Sequence, residues 1–335
     1  MAALNNRFTE AFDLDTPIAL APMALASGGH LASACAHAGA LGLVGGGYGE
    51  LAWTQHEYQY ALASTPQGIR SRLGIGFITW KLMEDSSALE WALNLPTEDR
   101  PRAVMLSFGD PRLHGPLVKQ SGAKLICQIQ NLSQITHALQ AGADIIVAQG
   151  AEAGGHGAKA SESRSTFTFV PEVADYLGRH SPGTLLLAAG GVADGRGLSA
   201  AMCLGADGAL MGSRLWASAE SLASKSAIRS AIQASGDDTI RSPIFDILRN
   251  KNWPEPYDFR ALRNQLHRKW ESRIEELRES PHVARVDYDE GVATEDFSRA
   301  HTTVGEAVGL ISHAPSAAAI ISAITSETHA KFTKI

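Results

Sequence analysis

The 335-residue sequence predicts an α/β fold, a closed (β/α)8 barrel with a C-terminal helical extension or insertion. Three observations predict it. Eight short, almost wholly apolar runs recur along the first two thirds of the chain, as strands buried on both faces of a parallel sheet require. Helix-forming stretches separate these runs, which is the alternation of βα units. One helix-to-strand turn also repeats, as Ala141-Gly142-Ala143-Asp144 and Leu204-Gly205-Ala206-Asp207, with glycine where a left-handed helix cap is favoured.

In chain order the strand-like runs are Ile18 to Met23, Leu41 to Gly46, Leu73 to Ile78, Ala103 to Phe108, Lys124 to Ile129, Asp144 to Gly150, Thr184 to Gly190 and Gly208 to Gly212. Helices are predicted over Leu31 to Gly39, Ser133 to Ala141, Pro171 to Leu177 and Gly197 to Leu204, and Gly39, Gly142 and Gly205 close three of them. After Gly212 the pattern changes. Ser242 to Glu279 is charged, is interrupted by Pro243, Pro254 and Pro256, and shows no further buried strand, so it reads as helical decoration. Within it Leu262, Leu266, Trp270, Ile274 and Leu277 are three or four apart, predicting one helix over Arg260 to Arg278. Its stripe packs on the barrel or, as a second option, on a partner subunit in a homodimer. His282 to Arg299 is acidic and turn-rich, and Val304 to Ile324 reads as a last apolar helix broken at Pro315. The expected division is a barrel over 1–235 and a mostly helical segment over 236–335 packed on it.

Composition narrows the function classes. Barrels of this kind routinely exceed the average domain length, so one large core is expected. The net charge of −6 carries no basic footprint for nucleic acid or an anionic membrane surface. No stretch approaches the roughly 18 apolar residues of a membrane span, and the first residues lack an apolar leader core. A cytoplasmic protein without nucleic-acid or membrane partners is expected. Cys35, Cys127 and Cys203 fall in apolar segments without CxxC spacing, which predicts buried, inert thiols and no metal site.

Chemistry on such barrels sits at the C-terminal ends of the strands. The run Gln149-Gly150-Ala151-Glu152-Ala153-Gly154-Gly155-His156-Gly157 follows the sixth apolar stretch and sets His156 among glycines. Glycine there permits tight approach to a flat ligand; a structural turn using the same glycines is the other reading. After the first strand Ala21-Pro22-Met23-Ala24 fixes φ at the proline, so that the next residues turn across a planar ring or simply end the strand. Gly190 and Gly191 follow the seventh run, and Gly212 and Ser213 the eighth. Loops at those two places are the usual phosphate cradle of the fold, although glycines that merely close helix–strand packing look the same.

A single cradle, with no G-x-G-x-x-G on a strand-to-helix turn, favours a mononucleotide flavin, FMN, over a dinucleotide. The candidate cofactor contacts are Pro22, Met23, Ala24, Gln128, Gly150, Gly155, Gly190, Gly191, Gly212 and Ser213, with His156 as the catalytic candidate. Gln128 could aim its amide at the flavin's polar edge or satisfy backbone groups. Tyr48, after Gly45-Gly46-Gly47, could line a pocket or cap the rim. Glu152, His30 and His37 read as solvated or packing residues, with His30 nearer the mouth of the first strand. Ser161 to Thr166 covers the site or forms a surface loop.

Ala21-Pro22-Met23, Gln149 to His156, Ala189-Gly190-Gly191-Val192-Ala193-Asp194-Gly195-Arg196-Gly197 and Leu204 to Arg214 together resemble the nitronate monooxygenase family, formerly called 2-nitropropane dioxygenases. The resemblance covers most of residues 15 to 220. Asn252-Trp253-Pro254-Glu255-Pro256 followed by Ala261-Leu262-Arg263-Asn264 also resembles the family's C-terminal part. The resemblance implies an FMN-dependent TIM barrel that oxidises alkyl nitronates with O2 to carbonyl compounds and nitrite. It implies that His156 corresponds to the active-site histidine. With a reference pKa of about 6.5, that histidine either holds nitro oxygens as a cation or accepts an α-proton from a nitroalkane when neutral. Two alternatives stay open, since fold does not fix function. One is an NAD(P)H-dependent reductase of a quinone or an enoyl-acyl carrier on the same scaffold; the other is a flavin-binding barrel without turnover.

Overall fold

Eight parallel strands form the central sheet of the computed structural model, which describes residues 4–333. They are β1 (Ile18–Leu20), β2 (Gly42–Gly47), β3 (Leu73–Ile78), β4 (Ala103–Ser107), β5 (Lys124–Ile129), β6 (Ile145–Gln149), β8 (Leu185–Ala189) and β9 (Gly208–Met211). Each matches one of the eight apolar runs to within three residues at either end. The order β1-β9-β8-β6-β5-β4-β3-β2 brings the ends of the sheet together. Leu20 N donates to Leu41 O at 2.8 Å and Leu41 N to Ile18 O at 3.0 Å, which joins β1 to the entry of β2 and closes the barrel.

Strand residues alternate between two apolar layers, as a period of two demands. Ile18, Leu20, Val104, Leu106 and Ile146 pack outward with the helices, whereas Ala19, Leu43, Met105, Val147, Leu187 and Leu210 fill the interior. Phe8 and Phe12, on the helix Arg7–Phe12, join the interior layer and plug the end where β1 begins. Gly39, Gly142 and Gly205 adopt φ of 84°, 87° and 100°, the left-handed values for which their positions were read. The helix expected to start at Pro171 begins at Thr166 instead, because the Glu152 carboxylate, distant in sequence from Pro171, accepts from Thr166 N at 3.0 Å.

A second, three-stranded antiparallel sheet lies outside the expected pattern. It consists of β7 (Gly155–Ala158), β10 (Thr239–Ser242) and β11 (Tyr257–Leu262), in the order β10-β11-β7. The expectations of no strand within Ser242 to Glu279 and of one helix over Arg260 to Arg278 are therefore corrected. Arg260 to Leu262 is the end of β11, and two short helices follow, Gln265–Trp270 and Ile274–Glu279. Asn264 separates strand from helix by accepting from Leu266 N and His267 N. β11 does alternate Tyr257, Phe259 and Ala261 with Asp258 and Arg260, a period of two masked by Pro254 and Pro256 before it and by the helical spacing that begins at Leu262, and it places Phe259 opposite His156. Leu266, Trp270 and Leu277 pack with Ile244, Phe245 and Tyr288 in a core of their own, so those three stripe residues are buried within this chain.

His282–Ala293 is a helix rather than a run of turns. Its buried positions Ala284, Tyr288 and Gly291 have helical spacing, but two of them are too small to register as an apolar stripe. The last helix, Ala317–Phe332, starts after Pro315 with Ser316 as its N-cap. It packs on the helix Gly195–Cys203, where Gly195 N donates to Glu327 Oε2 at 2.9 Å, and on the helix Gly29–His37. It thus occupies the slot of the eighth barrel helix, and Ala217 to Pro315 is an insertion between the last strand and that helix. Cys35 and Cys127 are buried, their thiols pushed up by burial, but Cys203 is exposed, against the expectation of three buried thiols. No helix among the described residues is long and apolar enough to cross a membrane.

Candidate active site

A cavity of about 560 Å³ opens at the C-terminal ends of the barrel strands, between them and the inserted segment. It is lined by Pro22, Met23, Ala24, Gln128, Gly155, His156, Gly190, Gly191, Gly212 and Ser213, all named from the sequence as candidates. Gly150 is absent from the lining. It is covered by Thr166 and Glu152, and a Cβ there would stand 2.0 Å from Thr166 Oγ1, so its glycine is required by packing. Glu152 accepts from Thr166 Oγ1 at 2.8 Å as well as from its N–H. Within Ser161 to Thr166 it is Thr166 that reaches the loop after β8, its Oγ1 donating to Gly190 O at 3.1 Å, and none of the six residues lines the cavity. His30 and His37 also lie away from it, while Tyr48 lines it.

The barrel side of the cavity is built by close backbone approach. Met23 N donates back to Ala21 O at 2.8 Å, turning the chain after β1. The Pro22 ring then fits only against glycine, for a Cβ at Gly76 would lie 2.3 Å from Pro22 Cγ. Gly190 and Gly191 take φ of 101° and 75°, a region open mainly to glycine. A Cβ on Gly212 would meet only Met23 Sδ at 3.7 Å and Ala21 Cβ at 3.8 Å, both residues of the cavity wall. Ser213 Oγ accepts from Gly305 N at 2.9 Å, tying this loop to the insertion. At the cavity floor Gln128 Nε2 and Gln130 Nε2 both donate to Gln149 Oε1, and Gln149 Nε2 donates to His156 O at 3.1 Å.

His156 sits on β7, opposite Phe259. Its Nε2 lies 2.9 and 3.0 Å from the two carboxylate oxygens of buried Asp246. A carboxylate accepts, so Nε2 carries the proton and donates, and Nδ1 is left as a bare lone pair with no partner among the described residues. The ring stacks on Trp253, 3.4 Å between centroids and 12° between planes, and touches Phe259 at 4.8 Å. Burial pushes the His156 pKa down to about 4, against the upward pull of Asp246, with Arg249 and Arg241 adding to the depression. The imidazole is neutral at pH 7.

The strand bearing His156 is held by an arginine. Arg241 Nη1 donates to Gly155 O and Asp258 O, and Nη2 to Ala151 O and Ala153 O, at 2.7 to 3.3 Å. A Cβ at Gly157 would press on that guanidinium at 2.8 Å. Arg241, Asp246, Arg249, Trp253 and Phe259 escaped sequence reasoning, apart from Trp253 within the C-terminal resemblance. A lone carboxylate 90 residues from its histidine carries no spacing signal; Pro254 and Pro256 beside a tryptophan were the single local cue.

The model of the nitronate monooxygenase family matches residues 5–327. A nitronate monooxygenase of Metarhizium robertsii, npaC, is 34% identical over 94% of this chain and 91% of its own length. A nitronate monooxygenase of Neurospora crassa is 30% identical over 94% of this chain and 89% of its own. Among solved structures, FabK from Thermotoga maritima superposes with a TM-score of 0.82 at 27% identity, covering 99% of this chain and 98% of that one. Matched across nearly its whole length by the family and by relatives of that name, the protein belongs to the nitronate monooxygenase family and is an oxidoreductase.

Proposed function

We propose that the protein binds FMN in this cavity and oxidises alkyl nitronates, or nitroalkanes after loss of their α-proton, with O2 to carbonyl compounds and nitrite. The observation that carries this reading is His156, anchored through Nε2 to Asp246 and offering Nδ1 to a cavity lined by the glycine turns after β1, β8 and β9. The residues fit a flavin mononucleotide. Gly190, Gly191, Gly212 and Ser213 would hold its phosphate, Pro22, Met23 and Ala24 its ring, and Gln128 its polar edge, with Gly155 leaving room beside it. When bound, FMN supplies electron transfer between an organic donor and O2. The work of the chain's own residues is to bind, orient and move a proton. Neutral His156 takes the α-proton of a nitroalkane at Nδ1, and the Asp246 carboxylate stabilises the imidazolium so formed. The downward shift of its pKa leaves His156 uncharged before the proton arrives, as an acceptor at Nδ1 must be. The likeness to npaC supports nitronate as substrate.

The test is anaerobic mixing of the flavin-loaded protein with propyl-2-nitronate and, separately, with NADH or NADPH. Flavin bleaching by nitronate and not by nicotinamide is expected. A His156→Asn variant should lose about 100-fold or more in kcat/KM on nitroethane. Bleaching by nicotinamide alone would replace this reading with the reductase, and a protein that retains no flavin would overturn both.

A further inference from the structure

The cavity wall carries a second histidine, His301, that no motif marks. Phe259 stands between the two, its ring centroid 4.8 Å from that of His156 and 5.8 Å from that of His301. His301 Nδ1 lies 2.7 Å from the hydroxyl of Tyr288. Tyr288 is buried, and its hydroxyl has no other hydrogen-bond partner among the described residues. A buried phenol proton needs an acceptor, and an imidazole nitrogen accepts only when it bears no proton. Tyr288 therefore donates to Nδ1, and neutral His301 carries its own proton on Nε2.

Both protonation states are reinforced. Burial raises the Tyr288 phenol to about 12 and lowers His301 to about 3, with Arg249 and His156 adding to the latter. His301 Nε2 has no partner among the described residues and is not sealed from solvent, and the residue is half-buried, so its N–H opens on the cavity. The two histidines hold the same tautomer in opposite senses. His156 is anchored by Nε2 and presents a bare Nδ1; His301 is anchored by Nδ1 and presents Nε2–H. One wall thus offers an acceptor and a donor.

We propose that His301 is a substrate-binding residue whose Nε2–H donates to an oxygen of a bound planar oxyanion, the geometry shared by nitronate and carboxylate, with Tyr288 as the positioning residue that sets its tautomer. The proposal rests on the reading of this cavity as the substrate site. Neutral donation suits a ligand that gives up charge as it reacts, because a fixed cation at the same place would hold the ground state more tightly.

Nitrogen-15 NMR of the histidine-labelled, flavin-loaded protein reads the tautomer without turnover. His301 should show a protonated Nε2 and a bare Nδ1, and Tyr288→Phe should release this preference. A wild-type spectrum with the proton on Nδ1 overturns the proposal. Isobutyrate, a carboxylate that cannot be oxidised as a nitronate is, probes binding by calorimetry. His301→Phe should weaken it about 10- to 100-fold, the range of a hydrogen bond to a charged group. His301→Gln, whose amide places a donor near the same point, should recover most of the loss. In steady state the His301→Phe defect should appear in KM for propyl-2-nitronate, with kcat within about threefold. Nitronate turnover with isobutyrate affinity unchanged in both variants overturns the donor role alone. Failure to oxidise nitronate while isobutyrate binding still depends on His301 overturns the proposed substrate and leaves the donor standing.

Discussion

In the His156–Asp246 pair, both carboxylate oxygens lie within hydrogen-bond reach of a single imidazole nitrogen, so the carboxylate decides which nitrogen faces the cavity. Asp246→Asn removes that control, because an amide accepts from Nε2–H in one orientation and donates to Nε2 in the other. It also removes the upward pull that opposes the effect of burial on the His156 pKa. We expect kcat/KM on nitroethane to fall about 10- to 100-fold while the pre-ionised ethyl nitronate, which needs no base, loses about threefold or less. Steady-state assays on the two substrates check this, and equal losses on both would contradict the base role. At this scale the sequence exposed His156 because its flanking glycines mark close backbone approach at a strand end. It concealed Asp246 and His301, whose meaning depends on partners brought by other elements.

At the scale of elements, the loop after β6 is shaped by the start of the following helix. Gly150 lies beneath Thr166, and the Glu152 carboxylate joins the two. A Gly150→Ala methyl would overlap Thr166 Oγ1 and the Thr166 backbone, forcing the helix end to move. Overpacking of this kind costs about 1–3 kcal/mol. The variant should unfold at lower temperature, by calorimetry or circular dichroism, yet keep the kcat of its folded fraction, since Gly150 does not line the cavity. A normal melting temperature with lost turnover would return Gly150 to the cofactor contacts. The same scale explains why β7 and β10 were hidden, whereas the period-two alternation of β11 was masked by the helical spacing that starts at Leu262. β7 is glycine-rich and β10 carries Thr239, Arg241 and Ser242, so neither shows the apolar alternation of a strand.

For the whole molecule, three histidines in or near the insertion are held in neutral form, His156 and His267 buried and His301 half-buried. Burial lowers His156 and His267 to about 4 and His301 to about 3, below the ordinary 6.5 of the unfolded chain. Between those values the unfolded state binds more protons, so the neutral histidines stabilise the fold fully above pH 6.5 and lose that contribution as pH falls toward 4. The slope approaches about 1.4 kcal/mol per pH unit for each fully buried histidine. Denaturant midpoints should fall between pH 7 and pH 4, and a His267→Phe variant, which leaves the cavity alone, should flatten the fall. A midpoint independent of pH over that range would contradict the buried neutral state.

The barrel was determined by the sequence itself. Each of its strands lies between two apolar layers, so burial is written into a contiguous run, and its helix ends are written into single glycines such as Gly39, Gly142 and Gly205. The cavity's barrel side was legible for the same reason, being made of strand-end turns whose backbone needs glycine or proline. Tertiary structure alone decided the other half. It inserted Ala217 to Pro315 before the eighth helix, paired β11 with β7, and set Asp246, Trp253 and Tyr288 around two histidines. These are contacts between residues far apart in the chain. Their energy comes from pairing and desolvation across elements, and a residue such as Asp246 or Tyr288 carries no local mark of the partner it will meet.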